Sequence, residues 1–587
     1  MASQVRTPPN IGSRTELSNA LFACRGAFVG TALISGMSNI LMLSGAMFML
    51  EVYDRVLPSR STPTLVGLTI LVAGLFAALG LLDAIRGRIL GRIGGSLDEA
   101  LSGRVYDTMV RLPLRAGNRG DGNQPLRDLD AIRSYLSGLG PVALFDLPWI
   151  PLYLAICFIF HPLIGLTALG GAVVLVGLTL LTETLTKAPA KAAMESGVAR
   201  NALAEASRRN AEALIAMGMF GRMAERWGQA NRHYMSSQQR TSDVGGGLGA
   251  ISKVLRMLLQ SGVLAVGAYL VINQQATAGI IIAGSILSAR ALAPVDLAIA
   301  HWRGFVAARQ SWQRLSKLLE AMPFQAPPMA LHPPSHRLVV ESVSAAPPGA
   351  NKIMLHDVGF KLEAGQGLGI IGPSGSGKSS LVRLLVGVWL PARGKVRLDG
   401  AALDQWSPDV LGRHIGYLPQ DVELLTGTVA ENIARFESEP DHEAVIAAAK
   451  AVGVHELIVS LPQGYDTPVG EYGTSLSAGQ AQRVALARAV YRNPFLVVLD
   501  EPNSHLDSDG DQALTRAILG VRERKGIVIV VAHRPSAIAG VDHILVMKDG
   551  RAQAFGPKDE VLAKVLQRPA AVPQPLKVAP ESGSAGA

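Results

Sequence analysis

The run Gly372-Pro373-Ser374-Gly375-Ser376-Gly377-Lys378-Ser379 decides the fold of the second half of the chain. It satisfies the pattern G-x-x-x-x-G-K-[ST] at every fixed position. Directly before it stands Gly367-Leu368-Gly369-Ile370-Ile371, short, apolar and strand-like; directly after it, Ser380-Leu381-Val382-Arg383-Leu384-Leu385 carries apolar residues at helical spacing. Strand, glycine-rich loop and helix form the context in which successive backbone N–H groups turn inward and cradle phosphate oxygens. In that context Lys378 reaches the β- and γ-phosphates and the Ser379 hydroxyl holds Mg²⁺. Eight residues alone are also compatible with an ordinary Gly/Ser turn before a helix, so the weight falls on what lies downstream.

Downstream, Phe495-Leu496-Val497-Val498-Leu499-Asp500 reads as a buried strand ending in a carboxylate, and Glu501 follows at once. Asp500 is suited to hold Mg²⁺. A carboxylate at Glu501 is suited to orient and polarise a water that attacks a γ-phosphate. By itself an Asp-Glu pair at a strand end is more simply a solvated turn. Upstream lies Leu476-Ser477-Ala478-Gly479-Gln480, followed by an Ala/Leu/Arg-rich helical pattern. A small-residue turn that opens a helix offers an anion site made of backbone N–H groups.

The chain has 587 residues, too many for one core, with 49% hydrophobic and only 17% charged residues. That balance points to a membrane portion. Residues 26–50 and 65–82 carry no charge and are long enough to cross a bilayer, which takes ~20 residues. The short polar link at 51–60 joins them as a hairpin. Further spans fit 136–160 (broken by Asp146 and Pro148), 163–181 (after a tight His161-Pro162 turn), 257–272 and 278–300. The last holds Arg290, Pro294 and Asp296. Arg290 faces either a bundle interior or water path, or the cytoplasmic end of the span. The two long loops, 83–135 and 187–250, are rich in Arg and Lys, whereas the short links lack such clusters. By the positive-inside rule the long loops and both termini face the cytoplasm. The net charge of +9 therefore reads as membrane anchoring, and no nucleic-acid partner is expected. Cys24 and Cys157 form neither a metal-ligand nor a disulfide pattern. No cleaved signal peptide and no additional N-terminal domain are expected. The expected organisation is an all-α membrane domain of about six spans at 1–321, a Pro-rich linker at 322–337, an α/β P-loop domain at 338–566 in which strands alternate with helices, and a disordered Pro/Ala/Gly/Ser-rich tail at 567–587.

The P-loop, the LSAGQ run and Val497-Val498-Leu499-Asp500-Glu501-Pro502, in this order and spacing, resemble the ATPase domain of ABC transporters. The resemblance implies ATP and Mg²⁺ as ligands. Gly372 to Ser379 with Ser380 hold the nucleotide; Ser379, Asp500 and Gln420 hold the metal; Glu501, His533 and Gln420 serve hydrolysis. Gln420, in Gly416-Tyr417-Leu418-Pro419-Gln420, resembles the Q-loop glutamine that also touches the transmembrane domain. Ser504-His505-Leu506-Asp507 resembles the D-loop, His533 the switch histidine at the γ-phosphate, and Glu471 the X-loop glutamate. Ser477, Gly479 and Gln480 resemble the signature that caps the nucleotide of a second protomer, which implies a homodimeric half-transporter with two composite sites. The turn at Ala216-Met217-Gly218-Met219-Phe220 is an expected coupling contact. Two departures stand out: Ala478 replaces the usual signature glycine, and Ser344-Ala345-Ala346-Pro347-Pro348-Gly349 offers no aromatic to stack on adenine.

Spans ahead of the ATPase in one chain resemble an exporter of the bacterial inner membrane. Glu51-Val52-Tyr53-Asp54-Arg55-Val56-Leu57-Pro58-Ser59, Phe145-Asp146-Leu147-Pro148-Trp149-Ile150-Pro151 and Arg290-Ala291-Leu292-Ala293-Pro294 narrow the resemblance to type I secretion ATPases that export proteases, lipases and RTX-like proteins. That narrower resemblance implies a periplasmic adaptor protein, an outer-membrane channel, contacts with membrane lipids and a secreted protein with an uncleaved C-terminal signal. The alternative is a lipid or small-molecule exporter with the same ATPase.

Overall fold

A computed structural model describes residues 15–117, 122–323, 331–350, 352–470, 475–504, 506–532 and 534–566. The chain divides into two compact units, the first of Met1–Leu112 and Asn118–Phe324, the second of Pro113–Gly117 and Gln325–Ala587.

The first unit is all helix among its described residues. Six helical segments are long and apolar enough to cross a membrane: Arg25–Ser59, Thr62–Ala116, Gly140–Phe160, Pro162–Arg209, Phe220–Ile272 and Ala278–Ala321. Thr62–Ala116 has 55 residues, about 80 Å of helix at 1.5 Å per residue. That far exceeds a hydrocarbon layer of ~30 Å. Its apolar first third suffices to span, and the Arg-rich remainder continues as helix. Pro162–Arg209 is likewise apolar first and polar after, and Phe220–Ile272 runs the other way, polar first and apolar over its last third, so much of the polar loops is helical extension of the spans.

Two expectations shift in detail. The third span begins at Gly140; Leu136 belongs to the preceding helix Gln124–Ser137, which ends where Gly138 turns extended. The polar link at 51–60 is helical as well. A wider, π-type turn at Val52–Val56 inserts one residue, and the chain reverses only at Arg60, which is left-handed at φ 51°. The turn swings Asp54 onto the start of the sixth span. Its carboxylate accepts from Thr277 Oγ1 at 2.6 Å and from the Gly279 N–H at 2.9 Å. A carboxylate there satisfies N–H groups that the helix itself leaves open and complements the helix dipole.

Inside the first unit the Phe145–Pro151 run meets a buried polar network. Arg86 Nη1 donates to Ser35 Oγ at 3.0 Å and to both oxygens of Asp146 at 3.2 and 3.3 Å. Asn39 Nδ2 donates to Asp146 at 2.9 Å, and Tyr153 OH donates to the Asn39 carbonyl at 2.8 Å. The network joins the first three spans. Asp296 pairs with Arg256 across the fifth and sixth, and Arg290 lies exposed rather than among buried residues.

Among its described residues the second unit holds ten strands in two sheets. β1 (Arg337–Ala345), β2 (Leu355–Glu363), β4 (Arg393–Leu398) and β5 (Ala401–Ala402) form an antiparallel sheet in the order β2-β1-β4-β5. β1 therefore starts at the last residue of the expected linker. The other sheet runs β10-β9-β3-β8-β7-β6, from β3 (Gly367–Ile371), β6 (Ile415–Leu418), β7 (Leu496–Asp500), β8 (Ile527–Val531), β9 (His543–Lys548) and β10 (Arg551–Pro557). Its pairs are parallel except at the β10 edge. β7 and β8 are buried at every position, as a sheet covered on both faces requires. Parallel pairing brings the carboxyl ends of β3, β7 and β8 to one edge, where open α/β sheets bind ligands.

Candidate functional site

β3 ends at Ile371, and the loop Gly372–Gly377 feeds the helix Lys378–Leu385. Gly377, the N-cap of that helix, has φ 93°, and a Cβ on it would stand 2.8 Å from Leu355 Cδ2. Only glycine meets both conditions cheaply. Lys378 is buried and folds back over the loop, its Nζ donating to the carbonyls of Gly372 at 2.9 Å and Pro373 at 3.0 Å. Ser376 Oγ is buried without a partner.

β7 delivers Asp500 to the same edge, 2% exposed. The Ser379 hydroxyl donates to its carboxylate, while Oδ1 has no partner. Burial pushes the Asp500 carboxyl above the usual carboxylate range, against the opposing Ser379 hydrogen bond. Burial likewise pulls Lys378 below the usual lysine range, against the attraction of Glu501 and Asp500. Both groups thus lie in a site that penalises charge until a charged ligand enters. A buried carboxylate oxygen without a donor, next to a hydroxyl, suits a hard divalent cation.

Glu501 follows β7 in a left-handed conformation, φ 51°, with its N–H donated to the Val531 carbonyl at 3.0 Å. Gln420, just past β6, donates from Nε2 to Glu501 Oε2 at 3.4 Å. The structure therefore gathers the P-loop, Lys378, Ser379, Asp500, Glu501 and Gln420 at one sheet edge. His533, Glu471 and His505 lie outside the described residues.

Ser477 caps the helix Ala478–Val490. Its side chain accepts from the Gln480 N–H at 3.3 Å, and Gln480 Oε1 accepts from the Ser477 N–H at 2.9 Å. This reciprocal pair satisfies two open donors. Ala478 is the first helical residue, where alanine is a better helix former than glycine, so the departure from the usual signature costs the helix nothing. Among the described residues no hydrogen bond ties Ser477, Gly479 or Gln480 to the P-loop of the same chain. Replacing the Ser477 hydroxyl by Ser477→Ala is expected to destabilise this helix start by ~1 kcal/mol, which differential scanning calorimetry of the nucleotide-free protein would read as a lowered midpoint.

Gln482 was not singled out by any motif. It is buried, and its Nε2 donates to the Pro502 carbonyl at 2.6 Å and to Ser504 Oγ at 3.2 Å. It fastens this helix to the segment behind Glu501. The only sequence sign of it is a polar residue on the otherwise apolar face of the helix. Asp507 is structural here: it caps the helix Ser508–Glu523 through the Gly510 N–H at 2.8 Å and pairs with Arg483. No aromatic stands between Ser344 and Ala350; the exposed apolar residues nearby are Ile353 and Met354.

Residues 29–295 match the family model of the ABC transporter transmembrane region, and residues 355–504 match that of the ABC transporter. The chain is 58% identical over 556 residues to the type I secretion system ATP-binding protein PrsD of Rhizobium meliloti, covering 95% of this chain and 96% of that one. The chain belongs to the ABC transporter family. The chain is accordingly an ATP-hydrolysing translocase and a multi-pass membrane protein. More distant relatives of this ABC transporter include the toxin RTX-I translocation ATP-binding protein of Actinobacillus pleuropneumoniae, 29% identical over 93% of this chain and 77% of that one. The cyclolysin secretion/processing ATP-binding protein CyaB of Bordetella pertussis is 30% identical over 90% and 75%. Among solved structures, a bacterial Atm1-family ABC exporter with ATP bound aligns with a TM-score of 0.77 over 92% of this chain and 96% of that one. At 24% identity that likeness establishes the fold alone.

Proposed function

We propose that this ABC transporter is the energising component of a type I protein secretion system. It would draw on ATP at the site described above to export an unfolded protein across the bacterial inner membrane. The observation that carries this reading is the 58% identity, over nearly the whole of both chains, to a type I secretion ATP-binding protein. The likeness to RTX-toxin and cyclolysin translocation proteins supports it. The working form in this reading is a homodimer with its ATPase units in the cytoplasm, joined by a periplasmic adaptor protein and an outer-membrane channel. The helix–turn–helix at 211–220, with Met217 and Phe220 exposed, is the proposed coupling contact.

In the proposed mechanism the N–H groups of Gly375 to Ser380 bind the phosphates of ATP. Lys378 leaves the Gly372 and Pro373 carbonyls for the β- and γ-phosphate oxygens. Those carbonyls hold its side chain close to its working position, so little ordering remains to be done on binding. Ser379, Asp500 and Gln420 would hold Mg²⁺, which supplies neutralisation of the phosphate charge. Glu501, steadied by Gln420, aligns water behind the γ-phosphate and accepts its proton. His533 is proposed to bind the γ-phosphate. Ser477, Gly479 and Gln480 of each protomer would cap the nucleotide held by the other, which accords with their lack of hydrogen bonds to their own P-loop.

The test is ATPase activity of the purified protein in lipid, with and without the C-terminal segment of a candidate secreted protein. The segment is expected to change the turnover rate. A rate that ignores the segment and responds to lipids or small amphiphiles would replace the reading with a lipid or small-molecule exporter.

A further inference from the structure

A contact that no step of hydrolysis uses joins the strand leading to Gln420 with the helix beginning at Ser477. Gly416 in β6 lies so close to the end of helix Ala478–Val490 that a Cβ there would stand 1.9 Å from the Ala489 carbonyl oxygen. Arg435 bridges the same two elements. Its Nη2 donates to the Ala489 carbonyl at 3.2 Å and its Nε to the Arg488 carbonyl at 3.0 Å. Its Nη1 donates to the carbonyls of Gly412 at 2.6 Å and Ile415 at 3.2 Å. One guanidinium thus holds two carbonyls at the C-terminal end of the helix, one at the first residue of β6 (Ile415) and one in the short helix Pro408–His414 that leads into β6 (Gly412). The last carbonyls of a helix lack intrahelical partners and favour a cation, so this is a strong anchor for both.

The surrounding chain is built to aim this side chain. Arg435 and Phe436 are both left-handed at φ 56°, a conformation that non-glycine residues keep only when their surroundings impose it. Asn432, fully buried, fixes the preceding turn: it donates to the carbonyls of Leu425 and Thr428 and accepts from the Leu425 N–H, at 2.9, 3.0 and 2.9 Å. A second tie runs from the helix itself, where Arg488 Nη1 donates to the Glu423 carbonyl at 3.3 Å, three residues past Gln420. Helix Ala478–Val490 has 13 residues, a lever of about 20 Å. A small rotation at its anchored end is therefore amplified at Ser477.

We infer that Arg435, together with Arg488, is a positioning residue for hydrolysis: it fixes the Gln420 strand and the Ser477–Gln480 helix to one common anchor, so that the position of one sets the position of the other. This rests on the roles proposed above for Gln420 and the LSAGQ residues.

The test uses the full-length protein in lipid. In Arg435→Lys a compact ammonium replaces the planar fork and cannot serve carbonyls in four directions. Its kcat is expected to fall about tenfold with the KM for ATP unchanged within about twofold, because the P-loop is untouched. In a Gln420→Ala background the same substitution should cost less than about threefold, since the coupling that Arg435 maintains has then lost the functional group at one of its two ends. A full loss in both backgrounds overturns the inference. So does a lowered thermal midpoint with kcat per folded molecule unchanged, or a raised KM at unchanged kcat. If Arg435→Lys does not fold, Arg488→Met loosens the Glu423 tie from the other side. It should lower kcat with the same non-additivity, and a wild-type kcat overturns the inference. Stimulation by the secreted-protein segment is read on wild type alone, so its failure removes the secretion reading without touching these comparisons.

Discussion

Glu501→Gln is expected to lower ATP turnover by about 10²–10³-fold, within the range that a positioned base contributes, while leaving ATP binding intact. Glu501 sits one residue beyond a fully buried strand and is held by the Val531 carbonyl through its own N–H. The backbone therefore keeps its place whatever the side chain. A glutamine retains a carbonyl oxygen for the Gln420 donor, so the local hydrogen bond survives; what it lacks is a carboxylate that can take a proton from water. Lys378, Ser379 and Asp500, which hold phosphate and cation in the proposed mechanism, are unchanged in the variant, and Lys378 keeps its bonds to the Gly372 and Pro373 carbonyls. The expected pattern is a collapsed kcat with unchanged affinity for a fluorescent ATP analogue, and prolonged retention of unhydrolysed ATP. A variant that keeps a tenth or more of the wild-type rate would move the base function away from Glu501. A variant that also loses binding would show that Glu501 serves the ground state as much as the reaction.

Most of the candidate site was legible because its parts are local. A P-loop needs its residues consecutive, and a strand ending in Asp500-Glu501 announces both burial and charge in six residues. Parallel pairing of β3 with β8 and β8 with β7 then does what no single motif states and brings the two carboxylates to the P-loop. The missed residues act over distance. Arg435 lies 53 and 54 residues from the helix carbonyls it binds, and its partners are backbone atoms, which carry no residue-type signature. Gln482 is of the same kind. In the membrane unit, composition located six spans because hydropathy is a sum over a window. It misplaced the start of the third span, which depends on a single extended glycine, and it read 51–60 only as a short polar link of a hairpin, where a wider helical turn carries Asp54 onto the sixth span. The Phe145–Pro151 run was noticed as a motif, but its meaning lies in Ser35, Asn39 and Arg86, 60 to 107 residues away for the two that bind Asp146.

That network supports the second large effect. Removing one partner of the Arg86–Asp146 pair, by Arg86→Met or by Asp146→Leu, is expected to destabilise the protein by about 3–5 kcal/mol, the cost of leaving a buried charge uncompensated, with Asp146→Leu at the lower end because Arg86 keeps its pair with Asp83 at 2.9 Å. Both side chains are about nine-tenths buried, so solvent screening does little to soften the loss. The two residues share partners as well as charge. Asp146 also accepts from Asn39, and Arg86 also donates to Ser35, so each single substitution strands polar atoms on the first span. The double substitution Arg86→Met with Asp146→Leu removes both charges together. Asn39 keeps its bonds to the Ser35 carbonyl and to Tyr153, and most of the loss should be recovered, to within about 1–2 kcal/mol of wild type. Thermal midpoints in lipid nanodiscs would show both single variants well below wild type and the double variant close to it. If instead the double variant falls by the sum of the two singles, the charges act independently, and the network holds the first three spans together through its neutral hydrogen bonds rather than through the ion pair.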